Sequence, residues 1–332
     1  MRIATYNIEW FNNLFDDNGL LIADGSWSGR WDVTRAQQTD ALGAVFTAMD
    51  ADAVMIIEAP DSSRKRDGTL ALVEFARYFG LRTTAAIVGF QNDTQQEIAL
   101  LYDPAVMQAV HDPQGDDDCP PFDNKFRMDV NVDAAPDIIR WSKPPLEIAV
   151  TTPNGPLRLI GVHAKSKAPH GARNAAAATR LSIENRRKQL AQCIWLRKRV
   201  EAHLAAGDDL IVLGDFNDGP GLDEYEKLFG RSGVEIVLGE GNGMQLFDPH
   251  ARMALGRRLG AMPVTARFKR KGEPYLQALL DYIMVSPGLR AKDPRWQIWH
   301  PFDHPLCYAN ADLREALLLA SDHFPVVLDI AL

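Results

Sequence analysis

Short runs of branched and aromatic residues alternate along the chain with polar, turn-forming segments. RIATYNI (2–8), AVMII (53–57), EIALLY (97–102), LEIAVTT (146–152), LRLIGVH (157–163), LIVLGD (210–215), DYIMVS (281–286) and FPVVLDI (324–330) each read as a strand. Helical spacing separates some of them. Thr34 is placed to cap a helix running to about Met49. A longer helix is expected from about Thr179 to Ala205. There Leu190, Cys193, Ile194, Val200 and Leu204 make one apolar stripe, and Arg186, Arg187, Lys188, Lys198 and Arg199 fall on the other faces.

Two hairpin-like strand pairs, at about 84–102 and 146–163, point to mixed sheets covered by helices, not to a purely parallel sheet. No internal repeat and no low-complexity linker divides the sequence, so one domain over residues 1–332 is expected. HDPQGDDDCPPFDN (111–124), acidic and proline-rich, reads as a surface excursion.

Composition narrows the class. The 332 residues are 46% hydrophobic and 24% charged, which suits a globular protein with a sizeable core. A formal net charge of −8 argues against a protein that coats nucleic acid by charge alone, though an acidic body can still carry a locally basic groove. Cys119, Cys193 and Cys307 are odd in number and far apart, with neither a disulfide framework nor zinc-ligand spacing. Reduced thiols and a cytoplasmic location are the expectation. The opening MRIATYNIEW lacks the basic start and long apolar stretch of a secretion signal. No apolar run approaches the ~20 residues a membrane-spanning helix needs, so stable membrane insertion is not expected.

The chemistry collects where the strands end. Asn7 closes the first strand, Glu58 follows four apolar residues, and His163 ends another strand. VLGDFND delivers Asp215 and Asn217, Asp281 opens a strand, and Asp322 and His323 precede the last one. One such residue is an ordinary turn former. Six such places in one chain, all at strand ends, point instead to a shared rim. Carboxylate and amide oxygens there suit Mg²⁺, with Mn²⁺ as a substitute, because both prefer hard oxygen ligands.

The order Asn, Glu, His, GDFN, Asp and SDH resembles the endonuclease/exonuclease/phosphatase superfamily. That group includes pancreatic-type deoxyribonucleases, apurinic endonucleases, neutral sphingomyelinases and inositol polyphosphate 5-phosphatases. The resemblance runs from the first strand to the last, and GDFND and SDHFPV are its most specific motifs. His163 stands where apurinic endonucleases usually carry Tyr, so the chain is nearer the deoxyribonuclease and sphingomyelinase branches. HAKSK after the same strand resembles the HxKSK pattern of some bacterial nucleases of this group. One departure is clear: the family usually reads Leu-Gln-Glu where this chain has Ile56, Ile57 and Glu58.

The resemblance implies an α/β fold of the α+β kind, a four-layer α/β/β/α sandwich of two mixed sheets with helices outside. It implies that Glu58, Asn7 and Asp322 hold a metal ion, with Asp215 and Asn217 flanking the attacking water or a second metal position. His323 would face the scissile phosphate and pair with Asp281 as base or phosphate-orienting group. His163 would donate to the phosphate or act as general acid. Two basic stretches, with Lys165 and Lys167 after His163 and Lys269, Arg270 and Lys271 before Asp281, are candidates for gripping substrate phosphates.

The expected function is Mg²⁺-dependent phosphodiester hydrolysis, foremost by a nuclease cleaving DNA or RNA. The alternative is a phosphodiesterase or phosphatase acting on a lipid headgroup or small phosphate ester. Nucleic acid or another phosphodiester is thus the expected partner; no partner protein is inferable.

Overall fold

Strand alternation sorts side chains between the middle and the outer faces of a sandwich of two sheets. The structure, a computed structural model, describes residues 1–63, 65–128, 137–169, 171–219, 229–240, 244–256, 262–270 and 272–332. In chain order its elements begin with β1 (Arg2–Asn7), α1 (Arg35–Met49), β2 (Ala53–Ala59), α2 (Gly68–Phe79), β3 (Ala85–Val88) and β4 (Glu97–Tyr102). β5 (Gln108–His111), β6 (Phe126–Met128), β7 (Asp137–Ile139), β8 (Leu146–Thr152) and β9 (Gly155–His163) lead into the long α3 (Ala175–Ala206). Next come β10 (Leu210–Asp215), α4 (Gly233–Leu238), α5 (Pro249–Gly256), β11 (Ala266–Arg270), β12 (Glu273–Ala278) and β13 (Asp281–Val285). The chain closes with α6 (Pro287–Arg290), β14 (Arg295–Ile298), α7 (Pro305–Ala309), α8 (Ala311–Ala320) and β15 (Val326–Asp329).

One sheet has the order β14-β15-β1-β2-β4-β3 and the other β13-β10-β9-β8-β5. Both are mixed: β1 runs parallel to β2 but antiparallel to β15, and β10 runs parallel to β9 but antiparallel to β13. The inner layer joins Ile3, Met55, Ile57 and Leu100 of the first sheet to Ile148, Leu159, Leu213 and Ile283 of the second. On the outer side of the first sheet, Tyr6, Val54 and Ile56 pack with Leu42 and Phe46 of α1, Phe75 of α2 and Leu317 of α8. On the outer side of the second, Val162, Val212 and Tyr282 pack with Trp195 and Leu196 of α3 and Val237 of α4. This is the expected four-layer α/β/β/α arrangement.

Both expected helices form. Thr34 caps α1 with a reciprocal capping box through Gln37. α3 starts earlier than expected, because Asn174 caps it by accepting from the Ala177 amide. Two of its basic residues are not on solvent faces. Arg186 and Arg199 are buried, paired at 2.7 Å with Asp218 and at 2.8 Å with Glu147. A helix packed beside a loop on a second side needs such paired charges where its polar face is covered.

That loop is the 111–124 stretch, which is not a free excursion. Its Cys119 and Phe122 are buried against α3, and Arg199 donates to the Cys119 carbonyl. All three cysteines are buried and unpaired. The basic stretch before Asp281 falls on paired strands: Ala266–Arg270 and Glu273–Ala278 form the β11–β12 hairpin. Among the described residues, no helix is long and apolar enough to cross a membrane.

Candidate active site

The alternation that fills the inner layer also builds the site. Ile3 and Asn7 share a face of β1, as do Leu213 and Asp215 on β10, Leu159 and His163 on β9, and Ile283 and Asp281 on β13. Each polar residue therefore continues an inner apolar column at the point where the strand ends. Register brings them together: Asp215 pairs with His163 on one side and with Asp281 on the other. Gly214 lets β10 come this close to β9. It has φ +136, and a Cβ there would lie 2.1 Å from the Val162 carbonyl oxygen.

Glu58 reaches the rim by a different device. Ile57 faces the inner layer and Ala59 the outer core, so Glu58 is the extra residue of a bulge in the β2–β4 pairing. Its φ is +63, a left-handed conformation costing on the order of 1 kcal/mol for a residue with a side chain. The bulge turns the carboxylate toward the cleft, where Oε2 accepts from Gln96 Nε2 at 2.7 Å. Gln96 thus supports the carboxylate from the β3–β4 loop, although the residue before Glu58 is Ile57. Burial raises the Glu58 pKa, against the charges of Lys143 and His323.

Asp215 is held by three donors. Its Oδ2 accepts from Asn7 Nδ2 and Asn217 Nδ2, both at 3.0 Å, and its Oδ1 accepts from the Asn217 amide at 2.7 Å. Burial, then the neighbouring charge of Asp281, pushes its pKa well above the usual carboxylate range. Asn217, at φ +50, also donates to the Ala164 carbonyl. With Nδ2 of Asn7 committed to Asp215, Asn7 Oδ1 is a buried acceptor with no partner.

His323 Nδ1 lies 2.8 Å from Asp281 Oδ2, leaving Nε2 as the nitrogen available to the cleft. Burial works against its charged form, but Asp281, Asp215 and Asp322 outweigh it and hold the imidazole at about 10. His163 is the opposite case. Its Nε2 is 3.1 Å from Lys143 Nζ, 3.7 Å from Asp215 and 3.9 Å from Glu58. An ammonium only donates, so Nε2 accepts and the ring proton resides on Nδ1. Burial, then Lys143 and His323, lowers the His163 pKa far below its ordinary value, so the ring is neutral.

These groups line a cleft of about 1370 Å³ that also contains Glu9, Trp10, Lys143, Lys165, Lys188 and Arg270. Sequence reasoning missed Lys143, Glu9 and Gln96. The signal for Lys143 was the strand pairing: Leu146 of β8 sits opposite Gly161 of β9, so residues just before β8 lie near His163. Glu9 pairs with the buried Arg30, and burial together with the charge of Asp322 raises its pKa to about 7.

The basic candidates fare unevenly. Lys165 lines the cleft unpaired among the described residues, whereas Lys167 Nζ sits 2.6 Å from Asp218. Lys269 rests over Trp31 at 4.7 Å, and Arg270 pairs with Glu273 at 2.8 Å. Lys271 lies outside the described residues.

The donor set fits a hard divalent cation. Glu58, Asp322 and the unpartnered Asn7 Oδ1 offer oxygens on the same rim. Asp215, Asp281 and His323 place one ligand atom each within 4.8 Å of one another, but His323 Nδ1 is already bonded to Asp281. That trio is a hydrogen-bonded cluster first.

The sequence profile of the Endonuclease/Exonuclease/phosphatase family matches residues 4–323. The chain belongs to that family. Its members are metal-dependent phosphoesterases, and the matched range contains every rim residue from Asn7 to His323. No curated protein matches the chain by sequence. Among solved structures, truncated Caenorhabditis elegans TDP2 is similar over 99% of this chain and 97% of its own, with a TM-score of 0.54 at 13% identity. A humanized D. rerio TDP2 aligns over 100% and 99%, with a TM-score of 0.51 at 11% identity. D. rerio TDP2 complexed with single-strand DNA product aligns over 99% and 97%, with a TM-score of 0.50 at 11% identity. At such identities the likeness is one of fold, and it extends the family's sandwich over the whole chain.

Proposed function

We propose that the protein is a Mg²⁺-dependent phosphodiesterase acting on nucleic acid. The observation that carries this reading is the convergence, in one large cleft, of an oxygen-rich corner, a protonated His323–Asp281 pair and lysines that pair with no carboxylate among the described residues. The solved complex of D. rerio TDP2 with a single-strand DNA product, on the same fold, agrees with it.

In this reading Glu58, Asn7 Oδ1 and Asp322 hold the ion, with Asp215 and Asn217 beside it. When bound, Mg²⁺ neutralises charge on phosphoryl oxygens and makes a bound water more acidic. Asp215 is the proton acceptor for the attacking water, since a carboxylate raised toward neutrality is matched to that task. Its three donors fix its orientation. His323, an imidazolium at neutral pH, presents Nε2 to a phosphoryl oxygen. The His–Asp pair therefore orients phosphate instead of serving as base. His163, neutral and with its Nε2 turned to Lys143, is poorly equipped as an acid; Lys143 supplies the positive charge on that side.

A second reading has one observation in its favour. Trp10, Ile138, Phe268 and Leu276 also line the cleft, and an apolar wall suits a lipid or aromatic ester. One activity panel decides between them: plasmid, single-stranded DNA, RNA, bis-p-nitrophenyl phosphate, sphingomyelin and inositol phosphates, each with Mg²⁺. Turnover of lipid or inositol substrates without cleavage of any nucleic acid would overturn the nuclease reading.

A further inference from the structure

Lys143, Lys165 and Lys188 all line the cleft, and among the described residues none pairs with a carboxylate. Of the other cations near the cleft, Lys167 pairs with Asp218, Arg270 with Glu273, and Lys269 rests over the Trp31 ring, while Arg140 also lines the cleft. In a chain with 44 acidic and 36 basic residues, counter-charges are plentiful, so three such lysines in one cleft stand out.

Lys143 touches His163, Lys165 acts on Lys143, and Lys188 acts on Lys165. Burial lowers the Lys143 pKa against the charges of Glu58 and Asp215, with a smaller contribution from Lys165, and burial and then Lys188 lower that of Lys165. Two glutamines of α3 clamp the backbone of Lys165: Gln192 Oε1 accepts from its amide at 2.9 Å, and Gln189 Nε2 donates to its carbonyl at 2.8 Å. Lys188 lies on the same helix, one residue before Gln189. The backbones that carry the two ammonium groups are therefore held on α3 and not on a loose loop.

We propose that Lys165 and Lys188, reached from the catalytic rim by way of Lys143, form a second phosphate site that takes a phosphate next to the one hydrolysed. The substrate class is then a phosphodiester bearing at least one further phosphate, for which a polynucleotide is the fitting case. This rests on the phosphodiesterase reading and sharpens it: a simple diester with one phosphate would leave these lysines unused.

The test is a kinetic comparison of p-nitrophenyl esters of thymidine 5′- and 3′-phosphate, each with and without a second phosphate on the other hydroxyl. In the unaltered protein, the second phosphate should lower KM by about tenfold in one of the two series while kcat changes little. In K188Q and in K165Q that KM advantage should shrink to about twofold or less. Lys188 is exposed, so K188Q should keep the parent Tm and report on binding even if K165Q disturbs the clamp.

No KM advantage in either series, or an advantage intact in both variants, would overturn the proposal. A result with bis-p-nitrophenyl phosphate hydrolysed but no nucleotide ester cleaved would count against the nucleic-acid reading alone. The site would then be read from competitive inhibition by thymidine 3′,5′-bisphosphate. A Ki about tenfold weaker in K188Q supports the site, and an unchanged Ki refutes it.

Discussion

His323 Nδ1 and Asp281 Oδ2 lie 2.8 Å apart, although the residues are 42 positions apart in sequence. Asp281 opens β13, the edge strand of its sheet, whose inner face it shares with Ile283, and its backbone amide donates to Thr265. His323 sits just before the final strand of the other sheet. The hydrogen bond therefore ties the two sheets together at the rim of the cleft.

This pair sets a pH dependence. The raised pKa, about 10, means that the imidazolium is present at neutral pH and lost as pH climbs through that value. The stabilisation it lends the fold is complete below the unfolded value of about 6.5 and disappears over the same climb. If the imidazolium orients phosphate, activity should fall on the alkaline side. Asp281→Asn should move that alkaline limb down by about one unit or more. An alkaline limb that stays in place in the variant would show that the imidazolium does not set it.

Metal binding should depend on Glu58. Activity should vanish in EDTA and return with Mg²⁺. Glu58→Gln should weaken Mg²⁺ affinity by ~10-fold or more, because a neutral amide replaces an anionic ligand. Calorimetric titration of the two proteins with Mg²⁺ checks this, and equal affinities would remove Glu58 from the ligand set.

The same residue should show a trade between stability and function. Glu58→Gly relieves a left-handed backbone and removes a partly buried carboxylate at once. The metal-free variant should melt a few degrees above its parent while losing activity. A lower Tm would mean that the bond to Gln96 outweighs the strain.

Lys143→Met keeps the bulk of the stem but removes the charge. It should lower kcat by on the order of 10²-fold if Lys143 stabilises charge developing at the phosphate. It should also raise the pKa of His163, since a nearby positive charge is gone. Imidazole proton NMR of His163 against pH tests the second part independently of turnover.

Phosphate positioning by the β11–β12 hairpin is not expected to matter much. Lys269→Ser should leave DNA cleavage within about twofold, because its ammonium rests on the Trp31 ring at the rim. A large loss confined to long substrates would show that the lysine leaves the ring to reach them.

The sequence by itself determined the strands, the helix capped by Thr34 and the residues at the strand ends. Those follow from local rules: alternation marks a strand, a capping box marks a helix start, and a polar residue closing an apolar column must lie at a rim. Asn7, His163, Asp215, Asp281 and His323 were legible for that reason. Only the tertiary structure decided which groups meet them. Gln96 and Lys143 sit in segments with no periodicity, and their positions depend on how β4 and β8 register against their neighbours. Glu58 faces the cleft because a bulge shifts the alternation by one residue, which no pattern of hydrophobicity reports. The charge states were equally hidden. Two histidines in similar strand-end motifs are shifted in opposite directions: burial and then Lys143 lower His163, whereas Asp281, Asp215 and Asp322 raise His323 against the effect of burial.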